Sequence, residues 1–220
     1  MALLVAQVAA VLGGAAILIS FGYRTAEQID AAPLAVLFLV QIPLWLGYGG
    51  VTLWSSRTRG NGPVVDFGWR FRWPDLPYGA ILGALCQIVL VPLVYIPIFL
   101  IFGEQDVSEA ARELTERATR PIDVVVLVFV VAVGAPVVEE LFFRGLLLRS
   151  LERRFGTLVG VLGSSAVFGA VHFQLLQLPA LIAFGLVAGW LTVRSGRLGP
   201  AIWAHVGFNL VTVVALLVAG

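Results

Sequence analysis

The chain has 220 residues, of which 60% are hydrophobic and 12% charged, and its net charge is +1. A soluble globular domain carries roughly 45–50% apolar and about 25% charged residues, so the composition excludes an ordinary soluble domain and specifies a polytopic membrane protein. The balanced charge offers no footprint for nucleic acid, and one cysteine, Cys86, excludes an internal disulfide and a thiolate metal cluster.

The apolar runs predict an all-α fold, a polytopic membrane helical bundle of about seven transmembrane helices, with 1–220 forming a single integral membrane domain. The first run, 2–22, has no basic stretch before it and is long enough to span, so it reads as a retained helix rather than a cleaved signal peptide. With the second run, 33–54, it makes up the N-terminal helices, 1–54. Residues 55–77 (SSRTRGNGPVVDFGWRFRWPDLP) mix Gly, Pro, Arg and Trp. That composition suits a cytoplasmic interfacial loop at the headgroups, anchored by Trp69 and Trp73.

A third span covers 78–102. The loop after it, 103–121, carries three arginines and five acids (Glu104, Asp106, Glu109, Glu113 and Glu116). Its EAARELTERATR stretch reads as a short solvated surface helix in which Glu113 and Arg117 pair at i,i+4. Four more spans lie at 122–148, 156–173, 175–193 and 199–219, so the polar core motifs fall within 122–219. Between the fifth and sixth spans, QLLQLP (174–179) turns the chain, with Pro179 suited to a first helical turn.

Arginines concentrate in alternate loops: Arg57, Arg59, Arg70 and Arg72, then Arg149, Arg153 and Arg154, then Arg194 and Arg197. The positive-inside rule makes these loops cytoplasmic, with the N-terminus cytoplasmic and the C-terminus and loop 103–121 extracytoplasmic. All fourteen basic residues are arginine, a usage of GC-rich genomes that points to a bacterial plasma membrane.

Against this apolar background the ionisable residues inside spans are few: Glu139, Glu140, Arg144, His172 and His205, with Asn209 as a strong polar group. An ionisable side chain at the bilayer centre costs about 2.5–3.5 kcal/mol on insertion scales, so such residues face the bundle interior, pair, and mark function. Glu140 and Arg144 are four residues apart and share a helix face, which allows an ion pair. Glu139 lies about 100° round the helix and has no basic residue one turn away. Burial without a counter-ion is what brings a carboxyl group into the working range of a general base at neutral pH. His205 and Asn209 again share one face, and His172 comes one turn after Phe168. Three helices thus each contribute polar groups, as sites in bundle cores require. Pro136 removes a backbone hydrogen bond just ahead of Glu139 and favours a kink there.

These residues carry a pattern. EELFFR (139–144) fits EExxxR, FGAVH (168–172) fits FxxxH, and HVGFN (205–209) fits HxxxN, in that order on successive apolar helices. In this the chain resembles the CPBP family, the type II C-a-a-X prenyl endopeptidases and their bacterial relatives, some of them linked to bacteriocin self-immunity. The resemblance implies an intramembrane glutamic endopeptidase without a metal or other cofactor. By carry-over, Glu139 with His172 activates the attacking water, and His205 with Asn209 stabilises the oxyanion. Glu140, Arg144 and Phe168 support them. The partners implied are the lipid bilayer and a peptide or protein substrate, membrane-associated or lipidated ones included. Counted from the expected cytoplasmic helix ends, His205 is about six residues deep, Glu139 about ten and His172 about sixteen. That is a spread of roughly 15 Å, which a tilt, a shifted helix start or the Pro136 kink has to close, with the site nearer the cytoplasmic half of the membrane.

Other readings use the same residues. Glu139, His172 and His205 could form a His₂Glu zinc set with one open position, although HExxH is absent. GSSAVFG (163–169) invites a serine mechanism, but Ser165 lies seven residues from His172 on one helix, about 10.5 Å, so only His205 could serve it. Cys86 reads as a packing residue. A non-enzymatic membrane immunity or binding protein, or a transporter, would use the cluster to hold a ligand; no internal repeat supports the transporter.

Overall fold

The computed structural model describes residues 2–219, and every regular element among them is helical. Among the described residues six helices are long and apolar enough to cross a bilayer. They are α1 (Ala2–Ser20), α2 (Leu34–Arg59), α3 (Asp75–Phe102), α5 (Pro121–Phe155), α7 (Leu178–Ser195) and α8 (Gly199–Ala219). Between α3 and α5 lies the eight-residue α4 (Glu109–Glu116), and between α5 and α7 the fourteen-residue α6 (Thr157–Ala170).

The expected fifth span, 156–173, is therefore α6. At 1.5 Å per residue it is about 21 Å long, short of the ~30 Å hydrocarbon core. It stops because the backbone turns: Phe173 has φ 55, a left-handed conformation that a bulky residue adopts only when its surroundings hold it there. The Tyr95 hydroxyl on α3 donates to the Leu176 carbonyl at 2.5 Å and ties this turn to the bundle.

α5 is the long central element. Its hydrogen-bond ladder widens to π-type turns at Val128–Gly134 and again at Leu141–Leu148, on either side of a short α-helical stretch, Ala135–Glu140. The first widened stretch immediately precedes Pro136, whose ring removes a ladder donor. Such bulges often accompany functional sites, and Glu139 and Glu140 sit between the two.

Around α5 the core is aromatic. Tyr48 of α2 stacks on Phe142 at 4.4 Å, Phe143 meets Phe168 of α6 edge-on at 5.2 Å, and Phe184 of α7 packs on Phe208 of α8 at 4.4 Å. Offset and edge-to-face pairs of this kind add to the burial of the rings themselves. Cys86, 4% exposed, belongs to the same core as a packing residue. α3 and α8 approach through small residues. A side chain at Gly79, Gly83 or Gly207 would run into the opposite helix backbone, the close approach that small residues permit in membrane bundles.

The arginine-rich loops meet at one end. The Leu198 and Gly199 amides donate to the Gly68 and Arg70 carbonyls, Arg197 forms an ion pair with Asp75, and Arg153 reaches the Asp66 carbonyl. Residues 60–74 thus form a plug pinned to the bundle end, largely exposed on its outer side: Phe67 is buried against Leu141, Leu198 and Ile202, and Trp69 packs on the same cluster. Of the two tryptophans expected as interfacial anchors, Trp73 is 89% exposed and Trp69 half-buried.

This plug removes the expected spread in depth. α5 continues to Phe155, so Glu139 lies 16 residues from that end, and His172 lies 15 residues from Thr157. Both are about 23 Å deep. α8 starts recessed above the plug, which brings His205, six residues along it, level with Glu140.

Candidate active site

The site is built around one carboxylate oxygen. Glu140 Oε1 accepts from Arg144 Nη1 at 2.8 Å and from His205 Nδ1 at 2.9 Å, and Glu140 and Arg144 are fully buried. The Arg144 pair is the i,i+4 neighbour expected on one helix face; the His205 bond crosses from α8. Arg144 also donates from Nη2 to the Gly185 carbonyl on α7 at 3.1 Å, and its guanidinium lies 4.5 Å from the Phe168 ring centre, a cation–π contact away from water. Phe168 also meets His172 at 4.9 Å and His205 at 5.6 Å, both edge-on. It is the spacer that fixes the two imidazoles relative to the buried cation.

Hydrogen bonds fix the imidazole tautomers. His172 Nδ1 is 2.7 Å from the Phe168 carbonyl, an acceptor only, so the ring donates there and its Nε2 carries the lone pair when neutral. The same logic places the His205 Nδ1 proton on the Glu140 side. His205 Nε2 lies 3.8 Å from Glu139 Oε2, too long for a direct hydrogen bond but within reach of one shared water-sized group. The imidazole nearest Glu139 is therefore His205. His172 stands across the same cavity and forms no ion-pair contact with Glu139. Asn209 donates one amide hydrogen to the Val131 carbonyl at 2.8 Å, beside the first widened turn of α5, and keeps a second donor.

Glu139, His172, His205 and Asn209 all line one cavity of about 390 Å³. Glu140, Arg144 and Phe168 stand behind it as support. The cavity extends away from the arginine-rich plug, and its outer wall includes Val107, Ala111, Leu114 and Thr115 of the segment around α4. The stretch expected to be a merely solvated surface helix thus has an inner face that closes the site. Its ion pairs join Arg112 to Asp106 and, at 3.9 Å, to Glu116, rather than Glu113 to Arg117. The cavity opens toward the acidic end, away from the arginine-rich one, while Glu139 sits near the middle of α5, 16 residues from Phe155 and 18 from Pro121. Gln41, Trp45, Gln87, Gln174 and Gln177 also line it. These glutamines were legible as polar residues in or beside spans, but ranking only ionisable groups passes over them.

The competing chemistries find less. Ser165 is fully buried, donates to the Val161 carbonyl at 2.7 Å and does not line the cavity. Among the described residues no three His, Cys, Asp or Glu side chains come together as a metal-ligand set, Glu139, His172 and His205 included.

Residues 121–211 match the family described as Type II CAAX prenyl endopeptidase Rce1-like. Over that stretch the chain is similar to the CAAX protease family. The Bacillus subtilis (strain 168) protein named "Putative membrane peptidase YdiL" is 24% identical to this chain over 206 residues, covering 91% of this chain and 81% of that protein. No solved structure matches it. All seven residues singled out from the motifs lie inside the matched stretch. The CAAX family match does not reach Gln41, Trp45, Gln87 or the α4 segment, which complete the cavity.

Proposed function

We infer that the chain is an intramembrane endopeptidase of the glutamic type that cleaves a peptide or protein substrate with an activated water. Glu139 is the general base. It takes one proton as the water oxygen attacks the scissile carbonyl carbon, and later returns that proton to the leaving amine. His172 orients the water by accepting its other hydrogen at Nε2. Asn209, through its second amide hydrogen, and doubly protonated His205, through Nε2–H, receive the charge that develops on the carbonyl oxygen. Donors fixed in place and shielded from bulk water are effective at this. Glu140 holds the His205 ring, and Arg144 holds Glu140. The observation that carries the reading is that these four groups, from α5, α8 and the turn after α6, line a single cavity.

The 3.8 Å approach of His205 to Glu139 favours a second assignment, in which His205 shares the water's proton with Glu139. His205→Gln separates the two, because glutamine can donate but cannot act as a base. Partial activity assigns His205 to the oxyanion, and a loss as deep as that of Glu139→Gln assigns it to the base.

The test of the function is hydrolysis of peptides by purified protein with and without chelator, Glu139→Gln serving as control. Chelator-resistant cleavage that the variant lacks is the expected result. Turnover by Glu139→Gln at the wild-type rate would overturn the assignment, and binding without cleavage would favour the immunity or binding reading.

A further inference from the structure

α3 runs beside α8 in the same direction from the plug. A side chain at Gly79 would meet Pro200 and Ala204, and one at Gly83 would meet the Ala204 carbonyl and the Phe208 amide. One turn further along α3, Gln87 therefore stands level with Asn209, and both line the cavity. Gln87 lies in a third widened turn, Cys86–Leu90, of the kind that flanks Glu139 on α5. Two more turns along α3, a rise of about 12 Å, the Tyr95 hydroxyl holds the Leu176 carbonyl and so fixes Gln174 and Gln177 on the mouth side of the cavity. Among the described residues the side-chain amides of Gln87, Gln174 and Gln177 have no hydrogen-bond partner. By contrast, Gln7 on α1, outside the cavity, donates to the Tyr48 hydroxyl, and the lining hydroxyls of Tyr95, Thr115 and Thr212 donate to backbone carbonyls.

Resting on the peptidase reading, we propose that Gln87 is a substrate-binding residue that holds the peptide backbone beside the cut, and that Gln174 and Gln177 hold the same extended strand about four residues further toward the mouth. A peptide drawn from water into an apolar cavity within a membrane leaves its N–H and C=O groups without partners, a cost that the cavity has to offset. A primary amide donates and accepts at once, so one glutamine serves both backbone groups of a residue in an extended chain, whatever its side chain. Extended chain advances about 3.3 Å per residue, so the rise of about 12 Å from Gln87 to the 174–177 turn takes about four residues. A helical segment has its backbone groups already paired and finds no use for these amides. The stretch to be cut therefore enters unwound.

A scan of backbone esters tests this. In a quenched-fluorescence peptide with one cleavable bond, each other amide within about five residues of the cut is replaced in turn by an ester, which removes a single N–H donor. In wild-type protein one replacement beside the cut is expected to lower kcat/KM by roughly 5–10-fold. Gln87→Leu is expected to lower cleavage of the parent peptide by a similar factor and to be indifferent to that replacement, a coupling that a merely structural role would not produce. Gln177→Leu is expected to couple to a position about four residues further out on the same side. A flat scan in wild-type protein, the wild-type profile in Gln87→Leu, or coupling of both variants to one position overturns the proposal. If Gln87→Leu fails to fold, Gln87→Met, unbranched and of similar length, takes its place. Should wild-type protein cleave none of the peptides, the peptidase reading falls by itself. The coupling is then read from competition binding of the same series: an ester penalty that Gln87→Leu abolishes supports the proposal, and one that it leaves unchanged overturns it.

Discussion

Glu140 on α5 and His205 on α8 are 65 positions apart in the chain and share a 2.9 Å hydrogen bond on the oxygen that also holds Arg144. The sharing makes one buried unit of a helix-local ion pair and an interhelical contact. It also carries a cost, since Glu140 Oε2 and Arg144 Nε have no hydrogen-bond partner among the described residues.

Removing one partner of this unit strands a buried charge, which costs about 3–5 kcal/mol. Arg144→Met is therefore expected to lower the melting temperature sharply in detergent micelles. The double variant Glu140→Gln, Arg144→Met is expected to recover much of that loss, because it removes both charges. A double variant as unstable as the sum of the single ones would refute the coupling.

Asn209 retains one amide hydrogen beyond its bond to Val131. If that hydrogen serves the oxyanion, Asn209→Ala lowers kcat by roughly 10²–10³-fold and leaves KM nearly unchanged. Steady-state kinetics on an uncharged peptide decide it; a rise in KM alone would assign Asn209 to binding.

Gly83 sets the contact between α3 and α8, where an added side chain would strike the Ala204 carbonyl next to His205. Gly83→Leu is expected to unfold the bundle or separate these helices and abolish activity. Gly49, with open space around it, is the control: Gly49→Ala is expected to be neutral or to stabilise by about 0.5–1 kcal/mol through helix propensity. Thermal melts of both variants measure the contrast.

The hydrogen bond from Arg112, and then the Ser108 amide, hold the Asp106 carboxyl below its usual value of 3.8. A depressed carboxyl contributes order that is fully present above that value and is lost as pH falls through the lower, folded-state one. Hydrogen exchange of α4 is expected to be slow at pH 5–7 and to quicken, after correction for intrinsic rates, below about pH 3.8. Asp106→Asn is expected to show the faster exchange at every pH, and a profile identical to wild type would remove Asp106 from the account.

The arginine-rich plug and the cavity mouth lie at opposite ends, so the positive-inside rule predicts a mouth outside the cytoplasm. In a Cys86→Ala background, a cysteine replacing Gln105 is expected to react with a membrane-impermeant maleimide on intact cells, and one replacing Ser55 to be protected. The reverse pattern would invert the orientation.

The sequence alone determined the features that composition and the period of the helix dictate. An apolar chain with so few charges lies in a membrane, Glu140 and Arg144 must share a face at four residues' spacing, and costly polar groups on three helices mark one site. It did not contain the register between helices. That register depends on glycine contacts such as Gly83 on Ala204, on the plug that recesses α8, and on the φ 55 turn at Phe173 that ends α6 early. Only the tertiary structure therefore decided that His205, rather than His172, lies nearest Glu139, that Asn209 reaches the Val131 carbonyl, and that α4 walls a cavity opening at the acidic end. Helical spacing is a local property of the backbone, whereas depth and facing are sums over packing contacts between segments far apart in the chain.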